Sequence, residues 1–117
     1  MTAVITPEKV ESRLYELSKE IDVAHEELLK AEKEFAVSKA VFEVSIARAR
    51  LHIAENNQKL RVGDVNDKAL VMCEEQYISV SHSEAIVKAA RANAQRVRTQ
   101  VDIARSIGTS VRAALDI

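Results

Sequence analysis

The chain has 117 residues, with 17 Lys or Arg against 18 Asp or Glu, two Phe, two Tyr, no Trp and one Cys. Near-neutral charge gives no general pull toward nucleic acid or membrane, and one cysteine excludes an intrachain disulfide. Scarce aromatics leave little bulky material for a mixed core, so the expected fold is all-α: a long antiparallel helical hairpin, coiled-coil-like, forming one domain over 1–117 and assembling into a homo-oligomer.

The opening Met-Thr-Ala-Val-Ile-Thr-Pro carries no apolar signal core, and no apolar run approaches the roughly 20 residues that cross a membrane, so the expected location is cytoplasmic. Thr6-Pro7-Glu8 then predicts a helix start. Thr accepts backbone N–H bonds as N-cap, Pro is preorganised for the first helical position, and Glu complements the positive helix end.

From Pro7 to Arg61 no Gly or Pro intervenes, which predicts a first helix over about 7–61. Its apolar positions are Val10, Leu14, Leu17, Ile21, Ala24, Leu28, Ala31, Phe35, Phe42, Ile46, Ala49, Ile53 and Leu60. These steps of three and four keep one seam against a partner, and one extra residue near Phe42 resembles a stutter. Asn56-Asn57-Gln58 is the weak stretch of this helix.

Arg61-Val62-Gly63-Asp64-Val65-Asn66-Asp67 is the predicted reversal, a turn over about 62–66 in which Gly63 takes a left-handed conformation and Asp64 or Asn66 caps the next helix. A second helix is expected over about 67–107, with a helical extension to about 115. Its seam is Ala69, Cys73, Val80, Val87, Ala90, Ala94, Val97, Val101, Ala104, Val111 and Leu115, with Gln76, Ser83 and Gly108 in the gaps. Two amphipathic helices joined by a short turn pack antiparallel. That arrangement sets Glu8–Glu34, with nine acidic and five basic residues, beside Lys88–Arg112, with six basic residues and one acid.

Both helices carry a second apolar stripe away from the seam: Val37, Val41, Val44 and Leu51 on the first, and Val71, Ile78, Ala85, Ala89 and Ala92 on the second. A helix apolar on two faces is buried on two faces, so these residues are the expected oligomer interface, with further copies of the chain as partner.

No chemistry-bearing motif stands out. His25, His52 and His82 lack helical metal-ligand spacing, Cys73 sits in the seam as a small apolar residue, and neither a phosphate loop nor a nucleophile elbow is present. The carboxylate pairs Glu26-Glu27 and Glu74-Glu75 fit solvated helix faces, so we expect no enzyme, cofactor, metal or small-molecule substrate, and no membrane partner. Arg48, Arg50, Lys59, Arg61 and Lys68 flank the reversal with only Glu55, Asp64 and Asp67 as local counterions, and repeated around an assembly they suit non-specific phosphate contacts. Sequence-specific recognition is not expected, because aromatic stacking platforms and helix-turn-helix spacing are missing. A secreted hairpin of the WXG type fits the length and fails for want of a Trp-x-Gly turn.

At Arg48-Ala49-Arg50-Leu51, followed by a polar stretch, Gly63-Asp64 and a second long helix, the layout resembles the UvsY-type recombination mediators of phages over roughly residues 21–117. The resemblance implies a homo-oligomeric accessory factor that binds single-stranded DNA and helps load a recombinase onto DNA coated by single-strand-binding protein. Arg48 and Arg50 would be its phosphate contacts. The turn here is short and the chain less basic than that family. A helical protein-binding module without nucleic-acid affinity, such as a phage accessory, assembly or host-inhibitor protein, is the alternative that the seams alone would satisfy.

Overall fold

A computed structural model describes residues 4–57 and 59–116. It is all-helical: α1 runs Pro7–Asn56, α2 Val62–Met72 and α3 Glu74–Leu115. The described residues divide into two compact units, one joining 1–29 to 89–117 and the other formed by 30–88.

In the first unit, α1 starts where the sequence predicts. The Thr6 Oγ1 accepts the Lys9 N–H at 3.3 Å, the Thr6 carbonyl accepts the Val10 N–H at 3.1 Å, and Pro7 occupies the first turn. Ala24, Ala94 and Val97 are buried together, with Ile21 and Leu28 against them. Gly108 faces Val10, whereas Ala94 and Val97 face Ala24, so numbers fall along α3 as they rise along α1 and the segments are antiparallel. Gly108 neither frays nor ends α3, which continues to Leu115. It permits close approach instead, since a Cβ there would lie 3.0 Å from Val10 Cγ1. Leu115, expected in the seam, is 67% exposed at the last residue of α3.

The expected charge match in this unit is only partly built from close contacts. Arg13 pairs with Glu16 at 3.3 Å and Glu20 at 3.8 Å on its own helix, while Arg98 reaches across to the His25 Nε2 at 2.9 Å. Exposed pairs of this kind contribute at most about 1 kcal/mol each, so the apolar seam holds the segments together. One acceptor is left over: the Gln100 Oε1 is buried and has no hydrogen-bond partner among the described residues.

The second unit is a helical hairpin in which α1 ends at Asn56 and α2 begins at Val62. Ile46, Ala49, Ile53, Ala69 and Cys73 form its core, with Phe42, Leu60 and Val65 packed on it. The stutter is real in burial: Phe42 and Ile46 both face inward at two successive steps of four. Nearby, the Phe42 and Tyr77 rings meet edge to face at 5.8 Å. Ser38 fills the seam position between Phe35 and Phe42, with its Oγ 3.2 Å from the Ser83 Oγ and 3.4 Å from the Ser79 Oγ. A polar layer of this kind is satisfied only in one alignment of the helices, so it fixes register.

The reversal differs from the sequence expectation. Helix α1 ends at Asn56, not near Arg61. The Asn56 side chain donates to the His52 carbonyl at 2.9 Å, the local competition through which Asn ends helices. Gln58, the third residue of the weak stretch, lies outside the described residues. Leu60 anchors the turn to the core. Gly63 is not the pivot: it lies inside α2, and no glycine among the described residues has a positive φ. Neither Asp64 nor Asn66 is a cap, since α2 begins at Val62 after Arg61, and Asp64 instead complements the positive end from the first turn. The second helix is also not continuous. At Cys73 (φ −105°, ψ 26°) the N–H is shared between the Ala69 and Leu70 carbonyls, both at 3.1 Å, and α3 restarts at Glu74.

Candidate assembly and nucleic-acid surfaces

Cys73 is buried among Ile46, Ala49, Ile53 and Ala69, a packing position. The described residues hold no group of three or more His, Cys, Asp or Glu able to bind a metal, and no helix is long and apolar enough to cross a membrane. Two surface features of the second unit carry more information: exposed aliphatics on α1 and cations around the reversal.

Val37, Val41, Val44 and Leu51 are all at least half exposed. Val44 is two residues from both Phe42 and Ile46, and about 100° per residue turns it some 200° from the seam. The structure adds three residues that the sequence reading missed. Ala40, Ala47 and Ala54 are exposed too, and with Val37, Val44 and Leu51 they recur at steps of three and four. This is a second heptad ladder, on the side of α1 away from the core. Alanine had hidden it, because that residue suits any face of a helix.

On the other helices Val71 is 73% and Ile78 57% exposed, and Ala85 is exposed as well. Ile78 and Ala85 stand two residues from the seam positions Val80 and Val87, so they turn away from α1. Ala89, also exposed, falls in the other unit.

Arg48, Arg50, Lys59, Arg61 and Lys68 are all exposed. None of the five side chains makes an ion pair or hydrogen bond among the described residues. They do not form one cluster. Arg48 lines a shallow groove with Ala40, Val41 and Val44 beside the outer ladder, whereas Arg50 is two positions on and so on a different side of α1. Arg61 and Lys68 are seven residues apart, two turns along one side of α2, with Lys59 just before them in the turn. Lys68 also lines a groove with Ile53, Val71 and Met72. Lys59, Arg61 and Lys68 form a short line along the turn and α2, interrupted on the same side by the exposed Asp64, whereas Arg48 and Arg50 face apart.

No family model, no curated protein and no solved structure matches the chain.

Proposed function

We propose that the chain is a self-assembling accessory protein of the recombination-mediator kind, which binds single-stranded DNA through backbone phosphates and assists recombinase loading, with no catalytic step of its own. The observation that carries this reading is the line Lys59, Arg61 and Lys68, exposed and without ion-pair partners at the closed end of a hairpin whose outer faces are apolar. Assembly through those faces multiplies the line, and phosphate neutralisation by several copies gives affinity that falls steeply with salt.

The test is fluorescence anisotropy of a labelled oligo-deoxythymidine with the full chain at low and moderate salt, for the native sequence and for Lys59→Ala/Arg61→Ala/Lys68→Ala. The native chain should bind at low salt, and the triple change should weaken binding about tenfold or more and flatten the salt slope. Absence of binding at low salt, or binding that the triple change leaves intact, contradicts the proposal.

The outer ladder of α1 favours a second reading, a helical module that binds another protein and no DNA. An apolar helix interface is not screened as phosphate contacts are. A protein complex that persists at high salt, together with no DNA binding, would mark that reading.

A further inference from the structure

We propose that the outer face of α1 in the second unit pairs with the same face of a second copy of the chain, as an in-register parallel two-helix coil over Val37–Glu55. The inference rests on the self-assembly half of the proposed function and not on its DNA-binding half.

Val37, Val44 and Leu51 repeat at seven-residue intervals, and Ala40, Ala47 and Ala54 repeat between them, so the face has both core positions of a heptad for more than two heptads, all exposed. β-branched residues at the first core position favour two parallel strands, and Val37 and Val44 supply them, while alanine at the second lets the backbones come close.

The edges of the face identify the occupant. Glu43 and Arg50 each precede a first core position on one edge, and Arg48 and Glu55 each follow a second core position on the other. In a parallel coil the first edge meets the second edge of its partner five residues further on. Glu43 then meets Arg48 of the second copy, and Arg50 meets Glu55 of the second copy. Two-fold symmetry repeats both contacts. Every edge charge over this stretch is matched by its own sequence, which an unrelated partner has no reason to provide. All four residues are exposed, and none has an ion pair or side-chain hydrogen bond among the described residues. Antiparallel pairing would set Glu43 near Arg50 but leave Arg48 against Val41.

The same pattern sets the limit of the contact. One heptad earlier the two core positions are Lys30 and Lys33, where in-register pairing would place like charges together. The coil therefore stops at Val37, inside the second unit. A consequence follows for the arginines: Arg48 and Arg50 act as pairing residues, which leaves Lys59, Arg61 and Lys68 of two copies to meet phosphate at one end of the pair.

The experiment is site-specific cross-linking of the full chain with Cys73→Ala as background and diamide as oxidant. Leu51→Cys, at a site 64% exposed, should form a disulfide dimer about tenfold faster than Tyr15→Cys, 64% exposed in the other unit. Glu43→Arg should slow that cross-linking about tenfold, and Glu43→Arg/Arg48→Glu should restore it, with helicity by circular dichroism unchanged throughout. The proposal is overturned if Leu51→Cys reacts no faster than the control, if it cross-links only to Ala40→Cys as antiparallel pairing requires, or if the charge exchange fails to restore the rate. Intact DNA binding beside failed cross-linking removes the pairing alone, and lost DNA binding beside intact cross-linking removes the DNA reading alone.

Discussion

The two units use the same helix differently. In the second unit the outward face of α1 reads Val37, Ala40, Val44, Ala47, Leu51 and Ala54, whereas the equivalent heptad positions in the first read Lys9, Ser12, Glu16, Lys19, Val23 and Glu26. Both units have a comparable seam, so seam packing does not distinguish them. What differs is the opposite side, solvated in one and apolar in the other, and only the second unit has the unpaired cations of the reversal. The two units thus differ on the side of α1 away from the seam, in residues that no core contact requires.

The largest effect that would break this comparison is expected at the outer ladder. Val44→Glu, or Leu51→Glu, places two like charges at the heart of the proposed contact, and sedimentation should show loss of assembly by a hundredfold or more, on the order of 3 kcal/mol, with helical circular dichroism retained. Glu16→Gln, at the equivalent face of the first unit, should leave assembly unchanged.

Next in size is the tight point of the first unit. Gly108→Val forces a branched side chain against Val10 Cγ1, already 3.0 Å from where a Cβ would sit, and should cost about 2 kcal/mol in thermal or urea unfolding, with assembly preserved. Val10→Ala in the same chain should recover part of that loss, which marks the clash as the cause.

Two smaller changes should stabilise. A Cβ on Gly63 meets nothing within 4 Å, and the residue is helical, so Gly63→Ala should gain about 0.5–1 kcal/mol. A left-handed glycine would have given the opposite sign. Gln100→Leu removes a buried acceptor without a partner and should gain about 1 kcal/mol in the first unit, read as a raised melting temperature.

Much of the fold was legible in spacing. The three-four steps from Val10 to Ile53 and from Ala69 to Val111 located the seam, and Thr6-Pro7 located the first start, because burial period and capping are local properties of sequence. The reversal was not. Gly63 looked like the stop signal, yet Asn56 ends the helix through its own side-chain bond to His52, and Leu60 sets the turn by packing on the core, a tertiary choice that no local signal carries. Of the exposed apolar positions on α1, the large aliphatics stand out in the sequence and the alanines between them do not. The Arg48/Arg50 motif likewise looked like one feature, since adjacency in sequence conceals that positions two apart leave a helix in different directions.

The central claim is that the outer face of α1 in the second unit assembles copies of the chain. Sedimentation equilibrium of the native sequence at tens of micromolar, without DNA, tests it most directly. The account predicts an average mass of at least twice the 13.0 kDa of one chain, and a mass that stays at 13.0 kDa across that range would contradict it.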